Sequence, residues 1–250
     1  MINLLYSKFK EFLIGFFAVN ILWYIAYLVI DRNVMPNPIL VYRAIPQLFQ
    51  NNIFVHFQRS FYRVSVGLSI SMVLGLLIGI IAAGNNFVSK ILNPFIYFTY
   101  PIPKISLLPV AMLLFGLRDT SKIVMIVLII VYQIIVVVRD SVRNIPKETY
   151  NILNCFGASK YHMFFYVTLP WAVSSILSTM RIALGTAISV LFFTETYGTR
   201  HGMGFFIMDA WMRMNYIEMY SGIVILSFVG FLLFMLIDIL EDFFSKWKLS

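Results

Sequence analysis

The chain has 250 residues, 60 % hydrophobic and 12 % charged, with a mean hydropathy of +0.86. A soluble domain carries about twice that share of charge, so lipid rather than water surrounds most of this chain. The net charge of +8 comes from nineteen Lys and Arg scattered singly between apolar blocks. That pattern excludes a nucleic-acid binder, which clusters its cations, and assigns them to helix ends at the headgroups.

A bilayer-spanning helix needs about 20 apolar residues. Residues 12–30 form the first candidate: they follow Lys8 and Lys10, contain no charge and are too long for a cleaved leader's apolar core. Residues 64–83 form the second, in which Gly75 and Gly79 make a small-xxx-small pair suited to close helix packing. The third, 91–117, holds Pro94, Pro101, Pro103 and Pro109 and the single charge Lys104. Proline removes a backbone donor, and freed polar groups persist in a membrane only inside protein or beside water. This span is therefore expected to be broken and to lie in the protein interior.

Residues 123–138 form a β-branched-rich fourth span, with Lys122 and Arg139 placed to snorkel from its ends. Residues 171–194 form the fifth and 219–237 the sixth. Six spans and no large soluble domain make one all-α, polytopic unit over 1–250. Lys and Arg are almost evenly shared between the two sides, with Arg32 on one and Lys246 and Lys248 on the other, so charge alone sets no orientation.

The polar loop 144–170 separates spans four and five. Asn144 is placed to cap a helix that begins near Pro146 and Glu148 and carries Tyr150, Leu153 and Phe156 on one face. Gly157 suits the left-handed position that ends such a helix. Ser159 is placed to cap a second short helix that Pro170 stops. Read by itself, the loop holds a short helix across the membrane surface, either as a rigid lever or lying on the headgroups.

Chemistry within the chain has little support. The single cysteine, Cys155, excludes an intrachain disulfide and a cysteine-rich metal site. His56, His162 and His201 stand apart, and no GxxxxGK[ST] phosphate cradle occurs. No catalytic, cofactor-binding or metal-binding residue is expected.

Around the loop the sequence reads Asn151-Ile152-Leu153, three residues, Gly157, nine residues, then Val167-Thr168-Leu169-Pro170. This resembles the EAA-x3-G-x9-I-x-LP loop of the inner-membrane permeases of ABC importers, with Asn-Ile-Leu in place of the EAA triplet. Further matches in order are Pro38, Ser60-Phe61-Tyr62-Arg63-Val64 with Gly67, Asn93-Pro94, Tyr100-Pro101-Ile102-Pro103, Leu108-Pro109 and Phe115-Gly116. They continue through Met180-Arg181-Ile182-Ala183-Leu184-Gly185, Glu195 and Gly202-Met203-Gly204. The resemblance covers about residues 37–247, ending at Trp247, and looks closest to the nitrate, sulfonate, taurine and bicarbonate branch.

The resemblance implies the type I importer permease fold in the inner membrane, with the loop and both termini in the cytosol. Glu148, Asn151, Leu153, Phe156, Gly157, Ala158 and Ser159 would then form a coupling helix. Its partner would be a cytosolic ATPase subunit that binds the ATP and Mg. An external binding protein, a second permease copy and the lipid bilayer complete the partners, with no nucleic acid.

On the fifth span, Ser175, Thr179, Ala183 and Ala187 make a small-residue stripe fit for close packing or for a wet seam. Arg181, an ionisable group inside a span, is a functional candidate. With Thr179, Ala183, Pro103 and Pro109 it is assigned to the translocation pathway, where it would attract an anion such as a sulfonate, nitrate or bicarbonate. Glu195, Tyr197 and Gly202 are assigned to the external gate or to docking of the binding protein. The alternative is an ATP-independent secondary transporter or channel. It requires acids inside spans to couple an ion, and only Glu195 and Asp238 lie even at span ends. A membrane scaffold without transport fits neither the broken span nor the buried arginine. The stretch from Asp238 to Asp242 and the Asn-Ile-Leu triplet mark the chain as divergent.

Overall fold

The computed structural model describes residues 2–30, 34–50, 53–99 and 101–244. Arg32, Tyr100, Lys246, Trp247 and Lys248 lie outside them, as do the side chains of Lys8 and Asp242. In chain order the helices are α1 (Ile2–Val29), α2 (Pro38–Gln50), α3 (Ile53–Gly84), α4 (Asn86–Thr99) and, after a 3-10 turn at Lys104–Leu107, α5 (Leu108–Phe115). They continue as α6 (Asp119–Arg143), α7 (Lys147–Cys155), α8 (Lys160–Met163), a π segment at Phe164–Thr168, α9 (Leu169–Glu195), α10 (Met203–Met212) and α11 (Tyr216–Phe244). Five helices are long and apolar enough to cross a membrane, and the bent pair of α4 with the segment Lys104–Phe115 supplies a sixth.

Local chemistry sets the boundaries. Asn37 Oδ1 accepts from the Ile39 amide to start α2, and Asn85 Oδ1 accepts from the Phe87 amide to start α4. The third span breaks where its prolines lie, and its halves bend by 89°. The expected interior position does not hold within one chain, because Tyr97, Phe98, Leu113 and Leu114 are all strongly exposed. Among the described residues of one copy, nothing covers them.

The core forms where α3, α6 and α9 meet, around Met125, Ile126, Ile130, Ile134, Ile176, Leu184 and Leu191. Every third or fourth residue of α3 that faces α6 is small. A Cβ on Gly67 would lie 2.7 Å from Ile126 Cγ2, one on Gly75 2.5 Å from Ile134 Cγ2, and one on Gly79 2.7 Å from Val138 Cβ. The branched side chains of α6 thus fill the grooves left by missing side chains on α3, as the Gly75–Gly79 spacing predicts.

Two loop expectations are corrected. Asn144 does not cap the short helix: its amide bonds the Asp140 carbonyl and it ends α6, while Pro146 precedes α7. Pro170 does not stop a helix either. The backbone turns continuously from Lys160 to Glu195, because a π segment precedes the proline and Pro170 then occupies the first turn of α9. Looser i→i+5 pairing absorbs the donor that proline lacks, and a first-turn proline blocks no helical bond. The helix α10 was not foreseen: its ten residues are too few for a span and follow a glycine turn.

Gly75→Val should drive a side chain into Ile134 and cost about 1–3 kcal/mol, read as a lowered thermal midpoint in detergent. Gly75→Val combined with Ile134→Ala should recover most of the loss. A wild-type midpoint for Gly75→Val alone would overturn the close packing of α3 on α6.

Candidate functional site

Two polar constructions occupy opposite ends of the bundle. The first is built on α3, whose helix begins about two turns before Ser60 and carries Arg63 between Tyr62 and Val64. Arg63 is 2 % exposed and Glu195, the last residue of α9, is 0 % exposed. Arg63 Nη1 donates to Glu195 Oε1 at 2.6 Å and to the His201 carbonyl at 2.9 Å. Its Nε donates to Asp119 Oδ1 at 2.8 Å, and its Nη2 reaches the same oxygen at 2.6 Å. Arg59, one turn earlier, donates to Asp119 Oδ2 at 3.2 Å.

Glu195 is saturated from the other side. Ser60 Oγ lies 2.9 and 2.7 Å from its two oxygens, and the Gly204 amide donates to Oε2 at 2.9 Å. The Met203 amide in turn donates to Ser60 Oγ at 2.7 Å. These two amides open α10, so the acid and the serine cap that helix through their side chains. Glycine is required at the approach. Gly202 has φ +140°, and a Cβ there would collide with the Glu195 carboxyl, while one on Gly204 would lie 2.5 Å from the Phe192 carbonyl. His56 Nδ1 closes the turn from outside, 3.1 Å from the Gly202 carbonyl. Lys122, 0 % exposed, sits beneath the knot with its Nζ 2.8 Å from the Leu117 carbonyl.

Two charges removed from water are tolerable only with close pairing and saturated hydrogen bonds. This knot meets both conditions, and it ties α3, α6, α9, α10 and the turn 198–202 together. Glu195 and Gly202, both expected at a gate, are brought together by it. Tyr197 is exposed and stands apart, ring against Phe193. Glu195 is wholly buried, and its carboxylate holds the start of α10 through the Gly204 amide. The sequence matches include Arg63 and Ser60 without a role of their own, Asp119 carries no expectation, and Lys122, expected to snorkel, is instead fully buried. The available signal was Glu195 itself: an acid closing an apolar helix needs a buried cation, and Arg63 in SFYRV was a candidate.

The second construction is the elbow. α7 ends in paired return bonds, with the Gly157 amide on the Asn154 carbonyl at 2.9 Å and the Ala158 amide on the Leu153 carbonyl at 3.0 Å. Gly157 has φ +75°, the left-handed geometry this motif needs. Ser159 then caps α8, accepting from the His162 amide at 3.3 Å. Both features follow the sequence expectation. Tyr150 Oη and Thr168 Oγ1, 3.0 Å apart, strap α7 to the foot of α9. Leu153 is half-buried, whereas Glu148, Asn151, Ile152 and Phe156 are exposed, Phe156 by 83 %.

The residues assigned to a pathway do not converge. Arg181 pairs with Asp238 and with Glu241 on α11, the latter at 2.9 Å. Ala183 and Ala187 are 0 % exposed inside the core, so on this part of the stripe close packing replaces the wet seam. Thr179 is half-buried and donates to the Ser175 carbonyl. Pro103 and Pro109 are exposed at the bend of the third span.

Glu195→Ala should leave Arg63 buried with half its neutralisation and destabilise the fold by about 3–5 kcal/mol. Thermal unfolding in detergent checks this, and Arg63→Met together with Glu195→Leu should regain much of the loss. A neutral Glu195→Ala would show that the pair contributes nothing to the knot.

Residues 75–249 match the family described as "Binding-protein-dependent transport system inner membrane component". The putative aliphatic sulfonates transport permease protein of Bacillus subtilis is 28 % identical over 89 % of this chain and 81 % of its own. The formylaminopyrimidine transport permease protein of Halalkalibacterium halodurans is 27 % identical, covering 93 % and 94 %. Among solved structures, a bacterial ABC transporter involved in import of the acidic polysaccharide alginate superposes with a TM-score of 0.63 at 16 % identity, over 96 % of this chain and 95 % of that one. The likeness in fold agrees with the all-α bundle. The chain belongs to the binding-protein-dependent inner-membrane transport component family, the permease subunits of ABC importers.

Proposed function

We propose that this chain forms the substrate pathway of an importer of a small anion and converts ATP hydrolysis by a partner subunit into movement of that pathway. The carrying observation is the continuous helix from Lys160 to Glu195. It has the exposed elbow at one end and the buried knot at the other, about 54 Å apart at helical rise. A partner that grips Ile152 and Phe156 moves α7, α7 is strapped to α9, and α9 delivers the displacement to Glu195 and through it to α3, α6 and α10.

In this reading the elbow and both termini face the cytosol, the knot faces outward, and the chain sits in the inner membrane. Two ATPase subunits bind ATP and Mg. The chain itself binds neither, and a binding protein delivers solute at the knot end. The uncovered apolar faces of α4 and α5 meet a second permease copy along a two-fold axis. ATP binding closes the partners and opens the pathway outward; hydrolysis resets it. The substrate class rests on the resemblance and on the cations at the outer end, since Arg181 is occupied by its two acids. An ion-coupled transporter finds less support, because Glu195, Asp238 and Glu241 are each taken by an arginine.

Gly157→Asp forces a side chain into left-handed backbone, at a cost of about 1 kcal/mol, and adds a charge to the gripping surface. In proteoliposomes with the co-encoded ATPase and binding protein, it should insert normally yet lose solute uptake while ATP is still hydrolysed. Uptake at the wild-type rate would sink the elbow as the coupling element.

A further inference from the structure

The turn 198–202 and the link between α5 and α6 face each other across an open cleft of ≈ 760 Å³. Its walls carry four arginines, Arg59, Arg63, Arg118 and Arg200, together with His201 and a single carboxylate, Asp119. Arg59 and Arg63 share Asp119, and Arg63 also holds Glu195. Arg118 and Arg200 make no ion pair among the described residues, and both are exposed. Buried Lys122 adds another positive charge behind the wall. The cleft is therefore strongly cationic although every acid within reach is already used.

The cleft has a built frame. Gly198 has φ +63°, and a Cβ on it would lie 2.8 Å from Leu117 Cδ2, so the turn seats directly on the α5–α6 link and fixes the spacing of the two walls. The floor is Arg63, 2 % exposed and held by Asp119, Glu195 and the His201 carbonyl. A guanidinium presents a planar fork of donors that matches a carboxylate or oxyanion edge-on. Two unpaired forks on facing walls, with a buried cation below, are the complement of one small oxyanion.

We propose that this cleft binds a small free oxyanion, of the sulfonate, carboxylate or nitrate class, between Arg118 on the link and Arg200 on the turn. The site deepens the importer reading, on which its role as a substrate entry point rests; anion binding itself does not depend on that reading. Occupancy is also wired to the knot. Thr199 and His201 flank Arg200, and both bond Arg63, at 3.3 Å through Oγ1 and 2.9 Å through the carbonyl. An anion that draws Arg200 towards Arg118 pulls on the turn that Arg63 and Glu195 brace. Electrostatic focusing by such a cleft also raises the local anion concentration at the bundle mouth.

The test is calorimetric titration of the full chain, in nanodiscs of neutral phosphatidylcholine, with ethanesulfonate and with nitrate at fixed ionic strength. Saturable binding of at least one of them, near one site per chain, is expected. Arg118→Gln with Arg200→Gln should weaken it at least about tenfold, a charge-assisted hydrogen bond being lost from each wall, while the thermal midpoint without anion stays unchanged. Arg118→Lys with Arg200→Lys should keep part of the affinity, since charge remains without the fork. No saturable binding to the wild type, or equal binding to the Gln double variant, would overturn the site. So would small anions failing to bind while the Gln double variant loses affinity for the co-encoded binding protein, since the cleft would then serve an acidic protein surface. Failure here leaves ATP-driven uptake by the wild type in proteoliposomes untouched, so loss of the anion site and loss of the importer reading are told apart.

Discussion

A single ion pair in an apolar surrounding, Arg63 with Glu195, organises the outer half of this bundle. Neither residue can be buried alone. An isolated guanidinium or carboxylate in a medium of low dielectric is costly by many kcal/mol, and only close pairing with every remaining lone pair satisfied offsets that cost. The requirement propagates. Glu195 needs further donors, so Ser60 and the Gly204 amide must come close, and only glycine at 202 and 204 leaves room. Arg63 needs a second acceptor, so Asp119 at the start of α6 is drawn in. Five chain segments meet at one point because two charges must be neutralised there.

Below the knot the bundle is held differently. Between α3 and α6 almost nothing is polar, and lipid tails are as apolar as leucine, so association depends on contact and not on exclusion of water. Glycines at 67, 75 and 79 let the branched side chains of Ile126, Ile134 and Val138 reach the opposite backbone. The two devices divide the labour: glycine packing fixes the distance between helices, and the ion pair fixes their register at one end. Glu195 closes α9, so the ion pair ties the end of that helix to the turn that follows it.

The spans and the elbow were legible in the sequence because each rests on local rules. Apolar runs bracketed by charge give the helices, and a glycine three residues past Asn154 followed by a serine gives the turn and cap. What the sequence obscured were non-local compensations. Charges that bracket an apolar run mark its ends and so place the start of the second span at Val64, whereas a partner on α9 allows Arg63 to lie inside the helix, as its eleventh residue. Pro170 was read as a stop because its lost donor counts against a regular helix, but the π segment before it changes the bonding pattern. An ionisable group inside a span marks Arg181 as a pathway candidate, but Asp238 and Glu241, 57 and 60 residues on, supply its partners from another helix. Asn144 was read as a start signal, where it closes the preceding helix.

Arg63 and Arg181 share one physical cause. In a membrane a charged residue is stable inside a span only when its partner is supplied by another helix, so the charges mark tertiary contacts rather than boundaries. Arg63 and Arg181 are both spent in this way, one at each level of the bundle, and each fastens α9 to a different neighbour, α3 above and α11 below. The helix that joins elbow to knot is thereby clamped at two heights by ionic contacts and elsewhere by close apolar packing. A clamped helix transmits rotation as a rigid body, whereas one seated in apolar grooves alone is free to slide. In the cleft beside the knot, Arg118 and Arg200 make no ion pair among the described residues, and both are exposed next to the anchored turn.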